Sequence, residues 1–561
     1  MTVHDETTAR SVSRGSYGVI VDALVGANVK KLFGLVGEDT VLFVADAVAS
    51  GIEYVGTRHE SVAVAMADGY SWSTQELGVC TVTRGPGVTN AMTAFRTAVQ
   101  GGRRVLVITG DVPVGGEGPF YKNIDQEPIC RSIGLEYFVV TDFDQLGAQL
   151  QLAIDSAKGG RPSVLAVAVD VLNAPLNDET ISTPITMSPA IDKPQPASDA
   201  DVVTLLELLQ ASSRPLIMAG LGASSSECRD QLIGIAQRTG ALLGTSLLSK
   251  GLFSGVPYDV GVVGGFASDA SVAVLGSIDL VIVVGAIFNA FSLGHDTLFR
   301  GIPIVQIDRD PDNIGRTRPV DVAVVGDSLL TLRKISAALE RIPKGQDSPL
   351  HDPSLLASLR MPKFGGTARN GVDELDPSSI ATSLNESLPS DRVVVLDSGR
   401  FMTAPGRFVD VESSGSVRHT AEAGSIGMGL GIALGASVGR PERTTVLFAG
   451  DGGFSMAIAD LETAARHRVN LVMVVMDDHA YGSEKRLLAE AGHPTHTADL
   501  PPIDFVAIAR AVNIAALPVS TETELASIAP ALEMRQGGPL LIHCRIRPDI
   551  TVTRHTWPVK K

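Results

Sequence analysis

The most restrictive feature of this chain is a series of short, β-branched runs that end in or lead into Gly or Asp: VLVITGD, SVLAVAVD, LVIVVGA, IVQID, RVVVLD, TTVLFAGD and NLVMVVMD. A strand with one wet face alternates apolar and polar residues, so runs apolar on both faces belong between two covering layers. Helical patterns separate these runs. That alternation builds parallel sheets whose functional loops leave the C-terminal ends of the strands. At 561 residues the chain is long enough for about three domains. Apolar periodicity lapses, and Pro, Ser, Thr and Asp accumulate, near Asn173–Ala200 and near Pro343–Pro377. Read as linkers, these stretches predict three doubly wound α/β domains with parallel sheets, at 12–178, 198–342 and 374–550, and a basic tail at 551–561. The first and third segments look alike in layout.

The formal net charge of −16 argues against a nucleic-acid or anionic-membrane partner, since both require a basic face. Four cysteines, Cys80, Cys130, Cys228 and Cys544, lack zinc-site or disulfide-framework spacing, which fits reduced core thiols. The polar start MTVHDETTARSVSRG lacks the apolar centre of a secretory signal, and the longest apolar runs fall short of a membrane span. The expectation is a cytoplasmic enzyme.

Chemistry concentrates in TTVLFAGDGGFSMAIADLETAARH. A strand feeds Gly450, Asp451, Gly452 and Gly453, and a helix is predicted to begin near Phe454–Ser455. Glycines admit a phosphate close to the backbone, and a helix start adds amide donors. Asp451 supplies a hard oxygen for Mg²⁺, an ion that bridges to phosphate oxygens. The next strand, NLVMVVM, ends in Asp477, Asp478, His479, Ala480, Tyr481 and Gly482, which puts further hard ligands at the neighbouring strand end.

With that spacing the chain resembles the thiamine-diphosphate enzymes of the acetolactate synthase-like group, whose Gly-Asp-Gly is followed by an Asn-Asn pair at the next strand end. The resemblance implies that Asp451, Asp478 and the carbonyl of Ala480 hold Mg²⁺, and that Gly450, Gly452, Gly453, Tyr481 and Gly482 surround the cofactor. Both asparagines are aspartates here, which adds negative charge beside a diphosphate. The extra carboxylate strengthens metal binding and repels the phosphates. Near the N-terminus, TRHESVAVAMADGYS matches the segment of the family's catalytic glutamate and implies that role for Glu60. Such a carboxyl hydrogen-bonds N1′ of the aminopyrimidine and favours the tautomer whose N4′ takes the C2 proton. TRGPGVTNAMTA resembles the turn that shapes the pyrimidine pocket, implicating Pro86 and Asn90. GSIGMGLGIALGA places Ser425 beside Ile426, at the position of the apolar residue that props the cofactor in its bent form. RPLIMAGLGA and IVQIDRDPDNIG resemble the family's central domain, where Gly220 and Gly222 follow a strand and admit a nucleotide. VVGAIFNAFSLG lacks the Arg- and Asp-rich loop of the FAD-dependent synthases, so FAD is possible but not favoured.

Further residues bear on the reaction. Glu38 and Glu484 fall where decarboxylase-like members carry acids, and two such acids shuttle protons in decarboxylation or lyase chemistry. The adjacent histidine pair of those decarboxylases is missing. Its loop offers Tyr121, Lys122, Asp125 and Gln126 instead, with Lys122 a candidate for a substrate carboxylate or phosphate. The Met-Val-x-Gln-Trp run of biosynthetic synthases is replaced by Ser483, Glu484, Lys485, Arg486 and Leu487. The resemblance therefore implies a Mg²⁺/thiamine-diphosphate enzyme that makes or breaks a C–C bond next to the carbonyl of a 2-oxo acid, as a carboligase or decarboxylase. The basic C-terminus allows a 2-hydroxyacyl-CoA lyase or oxalyl-CoA decarboxylase as the alternative. A catalytically silent regulatory paralogue is the alternative of another class, opposed by the retention of Glu60, Ile426 and Asp451. The family also implies a homodimer or homotetramer with active sites at subunit interfaces.

Overall fold

The computed structural model describes residues 14–115, 120–175, 194–289, 291–294, 297–342, 348–359 and 371–550. The basic tail at 551–561 and most of the first expected linker lie outside these residues.

Each predicted run is a strand, and the strands form three six-stranded sheets. The first contains β1 (Lys31–Gly34), β2 (Glu53–Gly56), β3 (Gly78–Thr81), β4 (Val105–Asp111), β5 (Glu136–Val140) and β6 (Ser163–Ala168), in the order β2-β1-β3-β4-β6-β5. The second contains β7 (Pro215–Ala219), β8 (Leu242–Thr245), β9 (Asp259–Val262), β10 (Leu280–Val284), β11 (Ile304–Asp308) and β12 (Val322–Val325), ordered β12-β11-β10-β7-β8-β9. The third contains β13 (Arg392–Leu396), β14 (Val417–His419), β15 (Thr444–Gly450), β16 (Leu471–Asp477), β17 (Ala515–Val519) and β18 (Leu540–Arg545), ordered β14-β13-β15-β16-β18-β17. Every pairing between these strands is parallel. The first and third sheets share one winding order, so their similar layout in the sequence is a similarity of topology.

By compactness the chain forms two units. One contains the first sheet together with 430–440 and 457–467; the other contains the second and third sheets. This regroups the three expected segments, because two helical pieces of the third segment pack with the first. In that first unit the helix Glu60–Thr74 meets residues 430–439 of the helix Gly429–Gly439 backbone to backbone. A Cβ at Gly69 would overlap the Ile432 carbonyl, and one at Gly435 would overlap the Met66 carbonyl. Both overlaps are with helix backbone, which cannot give way as the end of a flexible side chain would. Gly435→Val should therefore cost roughly 3 kcal/mol of stability, read as a lowered denaturation midpoint with an unchanged denaturant slope. An unshifted midpoint would mean that the helices separate freely.

In the second unit, Lys250 is buried and donates to the carbonyls of Gly406 (2.9 Å) and Val409 (2.6 Å). These bonds tie the segment after β8 to the segment after β13. The second expected linker is only partly a linker: Pro349–His351 and Pro353–Leu359 are helical, Leu350 is in the core of the second sheet, and His351 stacks on Tyr258 at 4.7 Å. Pro349, Pro353 and Pro377 read as loop by composition, yet they stand at helix starts, where a missing N–H costs nothing. Among the described residues, no helix is long and apolar enough to cross a membrane.

Candidate cofactor and active site

In the third sheet β13 and β15 are neighbours while β14 and β16 lie on opposite sides of them, so the connections diverge and leave a crevice at the strand ends. A cavity of about 390 Å³ occupies it, lined by Ile426, Asp451, Asp478, Ala480 and Glu484 among others. Gly450, Gly452, Gly453, Tyr481 and Gly482 also line it, and Ser425 adjoins Ile426 with its carbonyl accepting from Thr420 Oγ1 at 3.3 Å. The helix after β15 starts at Asp451 and not near Phe454–Ser455 as expected. Its glycines serve close approach, since a Cβ on Gly452 would stand 2.7 Å from the Tyr481 ring and one on Gly453 2.6 Å from Asp397 Oδ2. Side chains at both positions would fill the cradle.

The two aspartates ending β16 have different surroundings. Asp477 is fully buried and accepts from His543 Nε2 (2.8 Å) and from the His479 amide (2.9 Å), with Arg545 Nη1 at 3.1 Å. Burial alone would raise its carboxyl. The His543 bond, the His479 amide and the Arg545 charge outweigh that and hold it well below the usual carboxylate range. Asp478 lines the cavity, and its carboxyl is raised by burial, with Arg400 opposing and Asp477 adding. Asp451 is pushed up to about 8 by burial and by the charges of Asp477 and Asp478. A site that strains two cavity carboxylates toward protonation favours a cation. One ligand atom each from Asp451, Asp477 and His479 also lie within 4.8 Å of one another. Asp478 is not part of that cluster; it lines the cavity, where its carboxylate accepts from the Ala480 amide, while Asp477 carries the cationic partners.

Two groups here had no signal in the sequence. Asp397, at the end of β13, is buried and accepts from the Gly427 amide (2.9 Å) and from Thr420 Oγ1 (2.8 Å), which fixes the glycine-rich turn that carries Ile426. Arg400 lines the cavity and is half-buried, with a buried Nε that has no acceptor among the described residues. A cation site, a glycine cradle and an unanswered guanidinium N–H together fit a metal-bound oxyanion.

The first unit repeats this arrangement at β1 and β3. Asp39 accepts from the Arg84 amide (2.8 Å) and from the Thr83 hydroxyl, joining the two strand-end loops. Gly85 has φ +68°, and the Lys122 carbonyl fills the place a Cβ would take. The turn leads into the helix Pro86–Asn90, whose Asn90 Nδ2 donates to Glu60 Oε2 at 3.1 Å. Glu60 is 8% exposed in the first turn of its helix. Glu38 is exposed, with Lys122 Nζ and the Tyr121 hydroxyl each 3.3 Å from its carboxylate, and Lys122 first and Tyr121 second hold its carboxyl below the usual range. Gln126 departs from its expected place in a substrate-facing loop. It is 2% exposed, accepts from the Gly85 amide (2.8 Å) and donates to the Gly110 carbonyl (3.1 Å), because the helix starting there turns it inward beneath the Gly85 turn.

At the switch point of the second sheet, the Gly222 amide donates to the Gly285 carbonyl at 2.9 Å, and a Cβ on Gly222 would stand 2.9 Å from Gly285 Cα. Gly220 and Gly222 thus have a packing reason of their own.

Comparison with known proteins agrees with this architecture. Residues 17–129 match the thiamine pyrophosphate enzyme N-terminal TPP binding domain, 202–335 the central domain and 397–544 the C-terminal TPP binding domain. The chain is 28% identical over 544 residues to an acetolactate synthase large subunit of Parasynechococcus marenigrum, covering 94% of this chain and 87% of that one. It is 26% identical to the acetolactate synthase isozyme 3 large subunit of Escherichia coli, over 97% of this chain and 96% of the relative. It is 25% identical to a putative thiamine pyrophosphate-containing protein of Bacillus subtilis, over 89% and 86%. With three matched domains in order and relatives aligned along most of its length, the chain belongs to the thiamine diphosphate-dependent enzymes of the acetolactate synthase-like family.

Proposed function

We propose that this enzyme uses Mg²⁺ and thiamine diphosphate to make or break a C–C bond next to the carbonyl of a 2-oxo acid, as a carboligase or decarboxylase. The observation that carries the reading is the cavity at the β13/β15 crevice, where Asp451, Asp478, Ala480, Ile426 and Glu484 converge. Thiamine diphosphate, when bound, supplies the carbon that attacks a carbonyl and the electron sink that follows. Asp451, Asp478 and the Ala480 carbonyl hold the cation that binds the diphosphate, and Gly450, Gly452 and Gly453 let the phosphates approach. Ile426, held through Asp397, sets the bend of the cofactor. Glu60 holds a proton at the aminopyrimidine, with Asn90 orienting its carboxylate. Pro86 starts the helix that carries Asn90, and Gln126 supports the turn before it.

Glu484, exposed at the cavity, is the proton-transfer residue on the substrate side. Glu38, kept ionised by Lys122, acts as an acceptor, and Lys122 exchanges Glu38 for a substrate carboxylate. The interlocked glycine loops of the second sheet favour a packing role there over FAD.

The test is the product profile by NMR, with pyruvate alone and then with an aldehyde acceptor, and Glu60→Gln as control. Acetolactate or a mixed acyloin, lost in the variant, indicates a carboligase; free aldehyde indicates a decarboxylase. No turnover of pyruvate with cofactor bound would move the reading to 2-hydroxyacyl-CoA substrates. Sites completed between two copies of the chain, each giving one half, form the second part of the proposal. Co-expressed Glu60→Gln and Asp451→Ala chains should then regain partial activity that neither variant has alone. If the mixture stays inactive while hybrid oligomers form, the shared site is refuted.

A further inference from the structure

Arg400 follows β13 at the crevice, and it and Arg486 are the guanidinium groups lining the cavity. Its Nη1 donates to the Gly482 carbonyl at 3.1 Å, and its Nη2 to the carbonyls of Pro548 (2.8 Å) and Ile550 (3.2 Å). Three carbonyls from two chain segments thus clamp the Nη end of a planar group, so the Nε–H at its other end cannot swing away. That Nε is buried without an acceptor among the described residues, an arrangement native proteins rarely leave unanswered.

The charges nearby point the same way. Asp477 has His543 and Arg545 beside it, whereas Asp451 and Asp478 face the cavity without a comparable share. One divalent cation balances those two carboxylates and leaves an entering diphosphate uncompensated. Arg486 also lines the cavity with a buried Nε that makes no hydrogen bond, but Glu490 Oε1 stands 3.5 Å from that Nε, which leaves Arg400 as the guanidinium lining the cavity that has no ion-pair carboxylate among the described residues.

We propose that Arg400 is an anion-binding residue of this cavity: its Nε–H is held for an oxygen of the cofactor diphosphate, and its charge offsets the second cavity carboxylate, Asp478. The proposal rests on the cofactor site described above. An anionic oxygen reaching Nε comes either from the diphosphate or from a substrate carboxylate, and the proposal assigns it to the diphosphate.

The test is calorimetric titration of thiamine diphosphate into wild type, Arg400→Gln, Arg400→Lys, Asp478→Asn and the Arg400→Gln/Asp478→Asn pair, at saturating Mg²⁺. Arg400→Gln should weaken binding about 10–100-fold, with Arg400→Lys intermediate because it keeps the charge and loses the fork. Adding Asp478→Asn to Arg400→Gln should recover a large part of the loss, a rescue that a merely structural role of Arg400 would not produce. Melting of the cofactor-free variants checks the fold, and Arg400→Lys carries the test if Arg400→Gln is unfolded. Wild-type affinity in Arg400→Gln overturns the proposal, as does an unchanged cofactor affinity with a raised KM for the 2-oxo acid, which would give Nε to the substrate. Absence of rescue by Asp478→Asn overturns the charge-offset part. If wild type itself failed to bind thiamine diphosphate, the cofactor site would fall, an outcome distinct from all of these.

Discussion

Glu60→Gln is expected to lower kcat by about 10²–10⁴-fold and to leave thiamine diphosphate affinity close to that of wild type. The substitution is nearly isosteric. Asn90 Nδ2 can still donate to the remaining oxygen, and the buried first turn of the helix keeps its packing. What disappears is the acid–base capacity of the carboxyl. A neutral amide can neither take nor return a proton at the aminopyrimidine, so exchange of the cofactor C2 proton should slow in parallel with turnover. Exchange measured by NMR in ²H₂O separates this step from later ones. Exchange at the wild-type rate with turnover lost would move Glu60 to a later step, and retention of more than a tenth of the activity would remove it from catalysis.

The second large effect is on metal and cofactor together. Asp451→Ala, or stripping of divalent ions by chelation, is expected to weaken thiamine diphosphate binding by about 100-fold or more, because the cation bridges the protein to the phosphates. Asp451 is pushed up to about 8 by burial and the neighbouring carboxylates, a strain that a divalent cation relieves. Asp478→Asn should act differently. It removes one negative charge from the cavity, so the variant should bind Mg²⁺ more weakly and yet bind thiamine diphosphate better than wild type at low Mg²⁺. Titration of cofactor at a series of Mg²⁺ concentrations separates the two variants. Cofactor affinity independent of divalent ions in wild type would rule out the metal bridge, and a Asp478→Asn variant no better at low Mg²⁺ would rule out phosphate repulsion.

Much of the architecture is legible in the chain because it depends on short-range patterns. A run such as LVMVVMD is apolar on both faces, and that requires a strand covered on both sides whatever its neighbours are. The acids at 451 and 478 announce themselves by standing at the ends of such strands. Other features have no local signature. Arg400 sits in an unremarkable SGRFM, and Asp397 looks like any strand-terminal aspartate until Gly427 and Thr420 are brought against it. Gln126 reads as a loop residue, and only its bonds to Gly85 and Gly110 turn it inward.

The sequence by itself determined the class of fold, the identity of the strands and the places where chemistry collects, since burial on two faces, glycine spacing and strand-end acids are written in consecutive residues. The tertiary structure alone decided how that material is shared out. Asp477 is tied to His543 and Arg545 because β18 pairs with β16, and Asp478 is left to the cavity because β13 lies beside β15. Residues 430–440 join the first sheet's unit because glycines let two helices touch backbone to backbone. Pairings of this kind join residues far apart in the chain, and their energy depends on which groups lose water together, a quantity no local pattern contains.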